Sequence, residues 1–118
     1  MSDQPRIVRE AMTLADVREL AQARFGDMVK ASVDVGRGVM AIGGELHSDE
    51  EALLLDDGAK QADVWGINIY PDEPDDAWIE FDSLINVRPA QGNRSRGIHD
   101  PAVQLAIRRV VGALIRRS

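Results

Sequence analysis

The spacing of hydrophobic residues along the chain changes between two periods, and each period predicts a different element. After Thr13, apolar residues recur at intervals of three and four as far as Phe25, which is typical of an amphipathic helix. Thr13 and Asp16 match the two ends of a capping box, and Gly26 is the residue type that commonly ends a helix. The pattern therefore predicts a first helix between Thr13 and Gly26.

The next segment predicts a hairpin followed by a short helix. Apolar and polar residues alternate over 28–35, which indicates a half-buried strand. Two glycines in 36–38 favour a tight turn, and 39–47 is the returning strand. Ser48 and Glu51 form a second capping-box pattern, which predicts a helix that begins after Ser48.

The second half of the chain predicts two more strands and a final helix. Residues 64–70 alternate as a third strand, and 78–87 alternate as a fourth strand with a bend at Ser83. A loop over 88–99 contains glycine, proline and asparagine. Asp100 followed by proline is typical of the start of a helix, so the last helix is predicted from there to the C-terminal region.

The element order αββαββα predicts an α+β fold. We expect a two-layer sandwich in which a mostly antiparallel four-stranded sheet carries the helices on one face. A single domain is expected over 13–118, after a flexible leader at 1–12 that holds a candidate short strand at 6–10. The second and third strands can pair either way, since 48–63 is long enough for a crossover connection.

Composition fits one small globular domain. The 118 residues are 44% hydrophobic and 29% charged. They include no cysteine, which excludes disulfides, a thiol nucleophile and zinc held by thiolates. No apolar run approaches the ~18 residues of a membrane span, and the first ten residues lack the apolar core of a secretory signal. We therefore expect a cytoplasmic protein without membrane contact.

Charge is unevenly distributed along the chain. The formal net charge is −6, yet residues 91–118 hold six arginines against one acid. Residues 31–90 hold three basic against fourteen acidic residues. A net acidic chain repels a phosphate backbone, which disfavours nucleic acid as a partner. The C-terminal arginines either form a local anion-binding patch or pair with the acidic middle of the chain.

The segment RPAQGNRSRG at 88–97, ahead of the last helix, is the strongest candidate for a binding loop. Glycines allow close approach of the backbone, and arginines with a helix N-terminus suit an anion. The spacing is not that of a P-loop. In the alternative interpretation, these arginines fix the loop to nearby carboxylates. The candidate anion-binding residues are Arg88, Asn93, Arg94, Ser95 and Arg96.

Pairs of polar residues two positions apart fall on one face of each predicted strand. If these faces coincide, the residues that line the anion site are Asn68, Tyr70, Glu80 and Asp82. The same parity gives a candidate site for a divalent cation, with magnesium, manganese or zinc held by Glu45, His47, Glu80 and Asp82. An ordinary solvent-exposed sheet face would show the same pairs.

Four segments in order resemble a known family: FGDMVKASVDV, MAIGGELHSDEEALLLDDG, VWGINIYP and EFDSLINVRPAQGNRSRGI. The chain is similar to a family of short prokaryotic proteins catalogued only as a domain of unknown function. The resemblance implies a single-domain prokaryotic protein and no activity, cofactor or catalytic residue.

Three functions follow from the residues. The first is binding of a small anionic ligand, a phosphorylated metabolite or nucleotide, at the arginine-rich loop. The second is a phosphoester hydrolase assisted by a divalent metal, in which the arginines position the phosphate. The third is a protein-interaction module that uses the acidic middle or an edge strand. Whether the protein is an enzyme is left open by the sequence.

Overall fold

The computed structural model describes residues 4–117. Within them the elements follow in the order β1 (Arg6–Val8), β2 (Met12–Thr13), α1 (Leu14–Arg24), β3 (Val29–Asp34), β4 (Val39–Ile42), α2 (His47–Asp56), β5 (Val64–Ile69), β6 (Ile79–Glu80), α3 (Pro101–Leu114) and β7 (Ile115–Arg116). Short 3₁₀ turns lie at Gln61–Asp63, Leu84–Asn86 and Pro89–Gln91. The expected α+β class is confirmed.

The main sheet has five antiparallel strands in the order β1-β4-β3-β5-β6. The longest pairing joins β3 to β5, from Val29 opposite Ile69 to Asp34 opposite Val64. The third predicted strand therefore pairs with the first strand of the hairpin and not with the second. A separate pair of two-residue strands, β2 and β7, runs parallel beside α1.

The sheet has one strand more than expected. Arg6–Val8 pairs with β4 from Arg6 opposite Ile42 to Val8 opposite Met40. This strand coincides with the candidate at 6–10 and lies in the stretch expected to be a leader. Val8 is 6% exposed and contributes to the main core, so burial of its side chain accompanies the pairing.

Helices pack on both faces of the sheet, where one face was expected. On the first face, α1 and α3 cover the main core of β-strand side chains, which includes Ala31, Val33 and Ile67. On the second face, α2 covers a smaller core around Leu54 and Val64. β3 is therefore buried on both sides and not half-buried as its alternation predicted.

Two predicted N-caps have different outcomes. The capping box of Thr13 and Asp16 is confirmed, with the Asp16 N–H donating to the Thr13 hydroxyl at 3.1 Å and the Thr13 N–H to the Asp16 carboxylate at 3.0 Å. The capping box at Ser48 and Glu51 is wrong, because α2 begins two residues earlier, with Leu46 at the N-cap and no side chain bonded there. Glu51 Oε2 instead lies 3.4 Å from the guanidinium of Arg88, which is 37 residues away in the sequence.

The predicted fourth strand is shortened to two residues. After Glu80 the chain leaves the sheet, because the Ser83 N–H donates to the Arg96 carbonyl at 3.0 Å and the Ser83 hydroxyl caps the turn at Leu84–Asn86. Gly66 on β5 makes room for Ser83. A Cβ at position 66 would lie 2.6 Å from Ser83 Cβ and Oγ.

The close approach at Gly66, which Gly112 lacks, predicts that replacement by alanine has opposite effects on stability at these two glycines. Gly66→Ala forces Ser83 off the strand, so we expect a loss of about 1–3 kcal/mol from the free energy of unfolding. Gly112→Ala, in α3 where a Cβ would meet nothing within 4 Å, should gain about 0.5–1 kcal/mol from helix propensity. Urea unfolding of both variants measures the difference. Equal effects would contradict the contact between β5 and Ser83.

Candidate functional site

The irregular segment over 81–99 is held by three buried side chains. The first is Arg88, whose guanidinium lies 4.6 Å from the centre of the Trp65 ring. It donates to the carbonyls of Ile85 at 2.9 Å, Gln61 at 2.7 Å and Val64. Its side chain is only 9% exposed. Burial lowers the pKa of Arg88, but a guanidinium remains charged at any physiological pH.

The other two side chains are Asn86 and Asn93. The Asn86 amide takes both backbone groups of Gly66, accepting its N–H at 2.8 Å and donating to its carbonyl at 2.9 Å. The Asn86 side chain thus makes the two hydrogen bonds to Gly66 that the backbone of a neighbouring strand would otherwise make. The Asn93 amide donates to the carbonyls of Asn86 and Gly97 at 2.7 Å each and accepts the His99 N–H at 2.9 Å.

The structure therefore separates the five residues of the candidate anion loop. Arg88 and Asn93 turn inward. Arg88 bonds to backbone carbonyls and also lies 3.4 Å from Glu51 Oε2, and the Asn93 amide is directed to backbone partners. Ser95 bonds to the His99 ring at 2.8 Å and accepts the Gly97 N–H. Arg94 is exposed and makes no ion pair or hydrogen bond with any described residue. Arg96 alone points towards the sheet face.

The four residues expected to line the site lie together on that sheet face. Asn68 stands opposite Glu80 in the pairing of β5 with β6. Glu80 Oε1 accepts the Asn68 amide at 2.8 Å and the Tyr70 hydroxyl at 3.2 Å. Arg96 Nε donates to Asp82 Oδ1 at 2.7 Å. Burial, and then the charge of Glu80, raise the pKa of Tyr70, so its hydroxyl stays protonated and remains a donor.

Arg96 reaches from this face to a pocket at the start of α2. The pocket has a volume of about 190 Å³. Its lining comprises Lys30, Leu46, His47, Ser48, Ser83, Leu84, Ile85 and Arg96. The lining residues include two cations, Lys30 and Arg96, and two serines, and no carboxylate is among them. We refer to it as the α2 pocket.

Lys30 and His47 bring chemistry that sequence reasoning did not combine with Arg96. Lys30 lies opposite Asn68 in the sheet, with its Nζ 5.3 Å from the centre of the Phe25 ring. His47 is 8% exposed, and its Nε2 lies 2.7 Å from the carbonyl oxygen of Ile67. Since a carbonyl only accepts, Nε2 carries the proton. Burial lowers the pKa of His47, so the ring is neutral at pH 7 and Nδ1 is an acceptor.

The candidate metal set is not assembled. His47 directs Nε2 to the Ile67 carbonyl, and the carboxylate of Glu80 is bonded to Asn68 and Tyr70. Glu45 is exposed and has no polar partner among residues 4–117. Across the described part of the chain, no three His, Asp or Glu side chains are grouped closely enough to hold an ion.

A buried carboxyl group fixes the beginning of α2, whose first two residues line the pocket. Glu50 is fully buried and accepts the Gly44 N–H at 2.9 Å, while the Ser32 hydroxyl lies 3.1 Å from its other oxygen. Burial raises the pKa of Glu50 well above its usual range, and the two hydrogen bonds oppose that rise. Glu50 thus joins α2 to β3 and to the turn before the helix.

Fold and site together define a small α+β domain with a polar pocket at one sheet face. The chain belongs to the family described as "Protein of unknown function (DUF5674)", whose model matches residues 6–114. Comparison with curated proteins and with solved structures finds no match. None of the described helices is long and apolar enough to span a membrane.

The bonding of Arg88 predicts that it supports the fold and not a ligand. Arg88→Ala leaves three carbonyls without their donor, and we expect a loss of about 3 kcal/mol in the free energy of unfolding. Arg94→Ala removes an exposed arginine of the same loop and should change it by less than about 0.5 kcal/mol. Chemical denaturation measures both. Similar small losses would show that Arg88 is not a structural residue.

The raised pKa of Glu50 predicts a pH-dependent effect of Glu50→Gln. The folded state binds the proton of this carboxyl more tightly than the unfolded state. Its contribution to stability is therefore complete below the ordinary pKa of 4.5 and falls as pH rises towards the raised value. Glutamine escapes that loss, so the variant should gain stability over wild type between pH 4.5 and pH 8. Urea unfolding across this range tests it. A difference that shrinks with rising pH would contradict the assignment.

Proposed function

We propose that the α2 pocket binds a small ligand through one anionic group, a phosphate or a carboxylate. The observation that carries this proposal is the lining of the pocket, in which Lys30 and Arg96 meet the start of a helix and no carboxylate is present. The helix start matters because Leu46 at the N-cap supplies no side-chain acceptor for the first N–H groups of α2. Free N–H groups and the helix dipole both favour an anion at that place.

Each polar residue has a distinct role in this proposal. Arg96 is oriented by Asp82, which takes its Nε and leaves the terminal nitrogens for a ligand. Lys30 supplies a second cation and has no acidic partner among the described residues. Ser48 is the second residue of α2. Its hydroxyl lies beside the first backbone N–H groups of the helix, which would donate hydrogen bonds to an oxygen of the bound anion. His47 stays neutral and borders the site as a hydrogen-bond acceptor.

The rim of the pocket supports a ligand with an apolar part. Leu46 and Leu84 both line it and are 52% and 71% exposed, well above the exposure of the core leucine Leu54. Exposed leucines that border a polar pocket favour a ligand that places a hydrocarbon group between them. A phosphate monoester or carboxylic acid with a short apolar group fits this combination better than a free inorganic ion.

Calorimetric titration tests the proposal with phenyl phosphate and inorganic phosphate as probes. We expect wild type to bind phenyl phosphate more tightly than phosphate. Lys30→Gln and Arg96→Gln should each weaken the phenyl phosphate affinity about tenfold, since each removes a charge-assisted contact. Arg94→Gln, on the same loop but outside the pocket, is the matched control and should leave the affinity unchanged.

Two results would overturn the proposal. The first is the absence of heat with both probes at millimolar concentration. The second is equal weakening by Arg94→Gln and Arg96→Gln, which would indicate general attraction to the arginine-rich loop. Circular dichroism of each variant confirms that the fold is retained before its affinity is interpreted.

A further inference from the structure

A second cleft, separate from the α2 pocket, lies between the end of α3 and the start of β6. Its volume is about 460 Å³. Arg108, Arg116 and Arg117 line it together with one acid, Asp75. The floor is apolar and includes the buried side chains of Trp78 and Ile115. Three cations against one anion give the lining of this cleft a net charge of +2 on a chain whose formal net charge is −6.

The arginines are held in place by contacts with the fold. The Arg117 guanidinium lies 4.3 Å from the centre of the Trp78 ring, and its Nε lies 2.6 Å from Asp75 Oδ1. The Arg108 guanidinium lies 5.2 Å from the centre of the Phe81 ring. Arg116 belongs to β7, which pairs with β2 and fixes its backbone. Neither Arg108 nor Arg116 has an acidic partner among the described residues. The guanidinium groups of Arg108 and Arg117, held by ring contacts, therefore lose little freedom when they bind an anion.

Gly112 is the feature of the cleft that packing does not explain. It lies inside α3, between Val111 and Ala113, where glycine costs about 1 kcal/mol relative to alanine. Glycine in a helix often allows another group to pack closely. Here a Cβ would meet nothing within 4 Å, so no described side chain or backbone requires its absence. The residue is exposed and borders the cleft. Because Gly112 has no side chain, a ligand in the cleft could reach the backbone of α3 at this position.

We propose that this cleft binds a small molecule with two adjacent anionic groups, of the diphosphate class. Three arginines less one aspartate leave a net charge of +2 for a ligand to balance. Arginine also matches the geometry of phosphate oxygens with paired N–H donors. Gly112 lets the ligand approach the helix backbone without meeting a side chain. The cleft shares no lining residue with the α2 pocket, so either site can be present without the other.

Calorimetric titration of the full chain with pyrophosphate tests this site. Wild type should bind it. Arg108→Gln combined with Arg116→Gln should weaken binding about tenfold or more. Gly112→Leu should abolish binding by filling the cleft, with a melting temperature at or above that of wild type. Gly112→Ala, which fills less, should weaken binding less. Arg94→Gln lies outside both recesses and is the control for general charge.

The Gly112 variants separate a built site from loose attraction to arginines. Unchanged pyrophosphate affinity in Gly112→Leu, with the fold retained, would overturn the proposal. So would absence of binding to wild type at millimolar pyrophosphate, or equal weakening by Arg94→Gln. If Gly112→Leu unfolds, Gly112→Ala together with the double arginine variant decides the question. Phenyl phosphate binding to the same variants shows whether the α2 pocket is affected.

Discussion

The packing of the Arg88 guanidinium against the Trp65 ring is the interaction on which the irregular segment over 81–99 depends. A segment without regular strands must still satisfy its backbone polar groups, because unpaired buried groups cost about as much as lost hydrogen bonds. Arg88 donates hydrogen bonds both to the carbonyl of Val64 on β5 and to the carbonyl of Ile85 within the segment. Asn86 and Asn93 satisfy further backbone groups from within the segment. These bonds hold the segment over 81–99 against β5, although its regular structure is limited to two 3₁₀ turns and one β-bridge.

That arrangement decides what the protein presents to solvent. Ser83 packs against Gly66 on β5. The chain that follows returns to the same side of the sheet, where Arg96 bonds to Asp82. On the other side of the α2 pocket, the buried carboxyl of Glu50 fixes the beginning of α2 through Gly44. Two anchors thus hold the residues that line the pocket, one in the segment over 81–99 and one at Glu50. Both anchors are buried polar groups, which tolerate little change in geometry.

The sequence predicted those parts of the fold that rest on local signals. The cap at Thr13, the strand over 64–70 and the cap at Asp100 each depend on neighbouring residues, and all three are present, although every residue of β5 is buried. The bonds of Arg88 could not be predicted from local signals, because its carbonyl partners Gln61 and Val64 lie 27 and 24 residues away in the sequence. Strand parity placed Asn68 and Glu80 on one sheet face, where the structure pairs them. None of the four residues expected to line the anion site lines the α2 pocket. Strand parity missed Lys30 because the pairing of β3 with β5 was not foreseen, although Lys30 had the right parity within its own strand.

The most direct test of this account is a ¹H–¹⁵N NMR titration of the wild-type chain with inorganic phosphate. If the loop and α2 together form the anion site, the backbone amides of His47 and Ser48 and the side-chain Nε–H of Arg96 should shift together and saturate at one concentration. The amide of Gly92, in the same loop but away from the pocket, should not move. Shifts centred on 91–95, with His47 and Ser48 unchanged, would contradict the account and return the anion site to the exposed part of the loop.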